Sequence, residues 1–150
     1  MDDAPWDTPE VRRWIAWMCA SHRAATGRDL VPGDDPAALY DLDAIVVSHR
    51  LSADPCFVYA NRSAQRLWGY DWATFIGLPS RLSAPKEGRD QRKHLLADGL
   101  NRGAVVARDL IRITADGRRF RAEEVLLWNV ADDSDVVHGQ AATYARFTFL

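Results

Sequence analysis

Cysteine is scarce in this chain. Cys19 and Cys56 are the only two, with no Cys-x-x-Cys or Cys/His spacing around them, which excludes a tetrahedral zinc site and a disulfide framework. Both read as small buried hydrophobes in a reducing compartment. Lysine is nearly missing: among 19 basic residues only Lys86 and Lys93 are lysines, and the arginines are dispersed rather than massed in a tail. An excess of positive charge is also lacking. A net charge of −2 offers no general attraction to phosphate backbones, so nucleic-acid binding is not expected. No stretch approaches the ~18 apolar residues of a membrane span. The opening Met1-Asp2-Asp3 lacks a basic region followed by an apolar run, which argues for a cytoplasmic protein. Internal repeats and low-complexity segments are absent as well.

What is there suffices for a core: 150 residues, 47% of them hydrophobic, suit one folding unit. Within it, residues 1–43 read as a helical cap with a connecting loop and residues 44–150 as a sheet-containing domain. Thr8-Pro9-Glu10 has the chemistry of a helix start, and Gly27 that of a stop. Between them Val11, Trp14, Ile15, Met18 and His22 share one helical face, extended sideways by Trp17. Such a stripe must cover something apolar, either its own domain or a partner.

The β-branched run Ile45-Val46-Val47, the turn Ser52-Ala53-Asp54-Pro55 and the segment Cys56–Ala60 predict an antiparallel hairpin. Two short helices follow, with Asn61 and Asp71 as their caps, and Gly77 closes the second. Residues 78–89 read as irregular and 90–101 as a longer helix. Two long strands, 105–114 and 118–130, then flank Ala115-Asp116-Gly117, a strong hairpin signal, and a last strand runs from about Gly139 to Phe149. Strict alternation places Phe120, Ala122, Leu126, Trp128 and Val130 on one face of the fourth strand, with Val125 and Leu127 on the other. Both faces therefore need cover, and the N-terminal helix is the element free to supply it.

This order, together with Tyr59, Ala60, Asn61, Ala64, Leu67, Gly69, Tyr70, Phe75 and Gly77 in CFVYANRSAQRLWGYDWATFIG, resembles the PAS superfamily. LPSRLSAP at 78–85, GRRFRAEEVLLWNVAD at 117–132 and GQAATY at 139–144 resemble its MEKHLA branch, over roughly Ala44 to Phe147. That branch occurs as stand-alone bacterial proteins and as the C-terminal domain of plant class III homeodomain-leucine zipper regulators. The resemblance implies an α+β fold: a five-stranded antiparallel sheet with helices on one face, a ligand cavity between them, and here an amphipathic N-terminal helix packed on the sheet.

Candidate ligand-binding residues are Trp68, Phe75, Arg81, Trp128 and Gln140. Trp128 is preferred as a pocket wall because Phe120 and Leu126 should share its face. Arg81 lies in a MEKHLA-like block, and Gln140 stands where flavin-binding relatives use a glutamine. The segment Gly77-Leu78-Pro79-Ser80-Arg81 lacks the cysteine of the covalent flavin binders, and a lone His94 on the long helix is a weak haem ligand, so no cofactor is expected, with haem through His94 and a non-covalently bound flavin as the alternatives. The basic run Arg81, Lys86, Arg89, Arg92 and Lys93 reads either as a solvated face or as a hold for an anionic ligand.

No catalytic constellation emerges, since Ser48 and His49 alternate across a strand, as do Glu123 and Glu124. The chain is expected not to be an enzyme; catalysis on this scaffold rests only on the independence of fold and function. It reads as a sensory or signalling module for a small apolar or amphipathic ligand, or for a protein partner reached through the N-terminal helix, a homodimer included. The alternative is a ligand-free dimerisation domain.

Overall fold

The computed structural model describes residues 3–150; Met1 and Asp2, on which the reading of the N-terminus begins, lie outside the described residues. Helix α1 spans Pro9–Thr26. Thr8 Oγ1 accepts from the Val11 amide at 3.2 Å, Pro9 occupies the first turn, where no donor is needed, and Gly27 closes the helix at φ +74°. A short α2 (Pro36–Tyr40), capped by Asp35, leads into strands β1 (Ile45–Arg50) and β2 (Phe57–Ala60). Helices α3 (Arg62–Trp68) and α4 (Trp72–Phe75) come next. The segment read as irregular holds two single 3₁₀ turns, Ser80–Ser83 and Lys86–Gly88, before α5 (Arg89–Arg102). Strands β3 (Ala104–Ile113), β4 (Arg119–Ala131), β5 (Val137–Tyr144) and β6 (Phe147–Phe149) complete the chain.

The sheet is antiparallel in the order β2-β1-β5-β4-β3, with β6 paired to Phe120–Ala122 of β4. It thus has six strands where five were expected. The sixth is the end of the expected last strand: pairing stops after Tyr144 and resumes at Phe147 in the register β5 already keeps against β4.

Each face of the sheet carries its own core. On one, Trp68 of α3, Phe75 of α4 and Leu95 of α5 pack with Phe57, Leu110, Phe120, Val125 and Tyr144 of the sheet. On the other, α1 buries Trp14, Ile15, Met18 and Cys19 against Val46, Tyr59, Trp128 and Val130. Each large apolar side chain removed from water contributes about 2 kcal/mol, so the stripe on α1 is used within its own domain. Of the two cysteines, Cys19 is fully buried and Cys56 only partly so, and both are free thiols.

Strict alternation fails on β4. Ala122 and Val125, three residues apart, share the α5-side core, whereas Trp128 and Val130 lie under α1. The pairing shows why: Asp109 of β3, at a positive φ of 59°, and Glu123 opposite it both drop out of the ladder between Arg108↔Glu124 and Leu110↔Ala122 without a change of register, and the Glu123 amide donates to Arg146 O instead. A local kink changes the phase of both strands. Trp128 consequently does not share a face with Phe120. Its indole Nε1 donates to the Met18 carbonyl of α1 at 3.0 Å, and His22 meets its ring edge-on.

Asn61, fully buried, anchors the hairpin to the helices. Its Oδ1 accepts from the amides of Ala64 and Val46, both at 3.1 Å, and its Nδ2 donates to Ala44 O at 2.8 Å. Asp71 caps α4 through the Thr74 amide at 2.9 Å and is exposed.

Candidate functional site: a small cationic cavity

Between α5 and the sheet lies a cavity of about 50 Å³. Its walls come from β1 (Val47, His49), the end of α3 (Trp68), the first 3₁₀ turn (Ser80, Ser83), α5 (Arg92, Leu95, Leu96), β3 (Arg112) and β5 (Gln140, Tyr144). Gly99 lets α5 approach this closely: a Cβ there would stand 2.7 Å from Leu127 Cδ2 and 3.0 Å from Gln140 Nε2.

Gln140 organises the sheet side. Its Nε2 donates to Leu96 O at 3.0 Å, tying β5 to α5, and its Oε1 lies 3.2 Å from His49 Nε2, which donates to it. Burial is the main reason His49 is pushed down to a pKa of about 4; the Gln140 bond opposes this and nearby Arg92 adds to it. His49 is therefore neutral at pH 7. Ser48, its neighbour in sequence, points to the other face and cannot pair with it as nucleophile and base. Its hydroxyl accepts from Trp14 Nε1 at 3.0 Å and donates to Gln140 O at 2.7 Å.

Two guanidinium groups reach the cavity. Arg92 donates to Ser80 Oγ, and Arg112 Nη1 donates to the Ile111 carbonyl at 3.1 Å. Arg112 as a residue is only part-buried, yet its guanidinium is surrounded by protein, and burial lowers its pKa to about 10, with Tyr144 opposing and Arg92 adding to the shift. Arg92 is also lowered, chiefly by burial. Neither forms an ion pair among the described residues, and no carboxylate lines the cavity. The Tyr144 hydroxyl is buried without a hydrogen-bond partner, and burial raises its pKa well above the ordinary value.

Beyond His49, Arg92, Leu96 and Gln140, which line both spaces, an outer cleft of about 410 Å³ opens to solvent. It is bordered by Arg81, Arg89 and Lys93, by the carboxylates Asp54 and Asp90, and by Leu51, Ala97 and Leu100.

Of the residues singled out from sequence, Trp68 and Gln140 line the cavity. Phe75 packs edge-on against Trp68, with centroids 5.7 Å apart, behind the wall. Arg81 is exposed, pairs with Asp54 at 3.2 Å and borders only the outer cleft. Trp128 lies across the sheet, under α1. His94 is exposed on α5 and lines neither space. Sequence reasoning missed His49, Arg112 and Tyr144 as site residues. Tyr144 closes the GQAATY block, which was a usable signal. Arg112 had none, because counting in twos from Val105 sends it to the opposite face. Among the described residues, no group of three His, Cys, Asp or Glu could hold a metal ion.

The MEKHLA domain model matches residues 12–149, so the resemblance extends through most of α1, and the chain belongs to the MEKHLA domain family. No curated protein matches the sequence. Solved structures similar to it are PAS and light-oxygen-voltage domains. One, whose mechanism was probed with a flavin analogue, is 20% identical with a TM-score of 0.60, covering 75% of this chain and 82% of that one. The light-state dimer of the fungal blue-light photoreceptor Vivid is 16% identical with a TM-score of 0.62, covering 88% and 93%. An RNA-binding light-oxygen-voltage receptor is 24% identical with a TM-score of 0.63, covering 76% of this chain and 32% of the receptor. At these identities the shared property is the PAS-like fold.

The expectation that no cofactor is bound is overturned by this likeness, since a flavin analogue is the probe in one of these domains. About 50 Å³ bounded by Trp68, Leu95, Arg92 and Tyr144 has no room for a three-ring flavin with the side chains where they stand, and neither cysteine lines the cavity. Among the described residues no helix is long and apolar enough to cross a membrane.

Proposed function

We propose that this chain is a PAS-type sensory module in which a small amphipathic molecule, bound between α5 and the sheet, alters the seating of α1 and so its readiness for a protein partner or a second copy. The observation that carries the reading is the Tyr144 hydroxyl, buried in the cavity without a partner. A buried polar group left unpaired costs about 1–3 kcal/mol, a cost that a ligand atom would relieve. The sensory fold of the family supports it. A route outward exists: Gln140 touches α5 through Leu96, and its own carbonyl is tied through Ser48 to Trp14 of α1. No catalytic step is assigned.

Native mass spectrometry of the protein from its own host, set against the denatured mass, tests this. A reproducible non-covalent passenger is expected. A clean mass in a dimer would favour the second reading, a ligand-free dimerisation domain, which draws on the small size of the cavity.

A further inference from the structure

Resting on the sensory reading above, the geometry points to the chemical class of the ligand: an organic anion whose carboxylate or other oxyanion head sits between Arg112, Arg92 and the Tyr144 hydroxyl. Two guanidinium groups face one cavity that no carboxylate lines, and only Asp54, in the outer cleft and already paired with Arg81, acts on Arg92, so net positive charge remains at the site. Positive charge removed from water is tolerated when an anion completes it, and guanidinium forks match carboxylate geometry. The third donor is the unpartnered Tyr144 hydroxyl. A volume of about 50 Å³ suits a head group alone.

The body of the ligand then has one direction to take, past Arg92 and Leu96 into the outer cleft. There Leu51 and Leu100 are exposed hydrophobics, at 41% and 44%, beside a rim in which Arg81, Arg89, Arg92 and Lys93 outnumber the acids Asp54 and Asp90. Apolar contact for a tail and positive charge to attract the head thus lie along one path. Nothing similar flanks Trp128, whose surroundings are the packed face of α1.

Thermal melting of the full chain tests this, with hexanoate, hexanamide and inorganic phosphate as probes at about 10 mM and with ionic strength matched by sodium chloride. Hexanoate is expected to raise the melting temperature by roughly 5 °C and hexanamide by less than about 1 °C. Arg112→Met and Arg92→Gln should each abolish the response, and Arg92→Gln alone carries the test if Arg112→Met does not fold. A response to phosphate and not hexanoate keeps the anion site and assigns it to phosphate esters. Equal response to hexanoate and hexanamide, response surviving in the variants, or none to either anion overturns the assignment. The two readings separate by mass: a native passenger without an acidic group removes the anion and keeps the sensor, whereas a clean mass with no anion response removes both.

Discussion

Trp14 of α1 and Gln140 of β5 are joined through one hydroxyl, that of Ser48, which accepts from the indole at 3.0 Å and donates to the Gln140 carbonyl at 2.7 Å. Gln140 turns its side chain to the cavity and its backbone to this link, so the two faces of the sheet meet at a single residue. Gly139 beside it permits the contact, because a Cβ there would stand 2.1 Å from His49 O and 2.9 Å from the Trp14 ring.

Ser48→Ala should therefore loosen α1 without emptying the cavity. Leaving the Trp14 N–H buried and unpaired costs about 1–3 kcal/mol. Urea unfolding should show that loss, and hydrogen exchange should quicken in α1 before it does in α5.

The two asparagine and aspartate caps should differ in weight. Asn61→Ala removes a helix cap and also orphans the Val46 amide and the Ala44 carbonyl, for a cost of about 3 kcal/mol. Asp71→Ala removes one exposed cap bond, worth about 1 kcal/mol. Similar denaturation midpoints for the two variants would contradict this account of Asn61.

Trp128→Ala should cost about 3–5 kcal/mol and leave any bound passenger in place, because the indole packs under α1. Deleting residues 1–27 should uncover the same Trp128 face and give aggregation or a changed oligomeric state in size-exclusion chromatography. An unaltered monomer would mean that α1 is dispensable cover.

Acid should weaken the protein through His49. Its folded pKa of about 4 lies below the value near 6.5 of an unfolded histidine. Between those values the unfolded chain binds the proton and the native one does not. Stability is fully present above pH 6.5 and declines as pH falls toward 4, by about 3 kcal/mol at most. The difference between wild-type and His49→Leu stability profiles isolates this histidine, and parallel profiles across that window would refute the assignment.

Asp109 bears a side chain at φ 59° within a strand. Asp109→Val should cost about 2 kcal/mol, because a β-branched residue is strained in that region, whereas Asp109→Gly should be nearly neutral. The valine variant should also disturb the cavity, by returning Arg112 toward the opposite face, and thermal melting with hexanoate would register it.

Local chemistry was legible wherever it acts over a few residues. Thr8, Pro9 and Gly27 bound α1, Asn61 and Asp71 cap α3 and α4, and Asp116-Gly117 turns the hairpin, because caps and turns depend on neighbours in sequence. Gln140, singled out by its place on the last strand, and Trp68, singled out as a tryptophan of the PAS-like region, both line the cavity. Arg81 and Trp128 were misplaced for different reasons. Arg81 belongs to a block whose buried members are Ser80 and Ser83, while the arginine itself turns outward to Asp54. Trp128 was assigned by counting in twos across a strand that is not regular.

From the chain alone came the order of elements and the need for an apolar cover on the second face, which follow from periodicity and short-range capping, while the fold family came from the resemblance of its motifs to PAS and MEKHLA sequences. Tertiary structure alone decided which side chains face the cavity. One residue with positive φ, Asp109, changes the phase of β3 and β4, carrying Arg112 inward and leaving Trp128 beneath α1. A period of two carries no record of such a kink, because the backbone angle that shifts it is fixed by pairing and packing with residues distant in the chain.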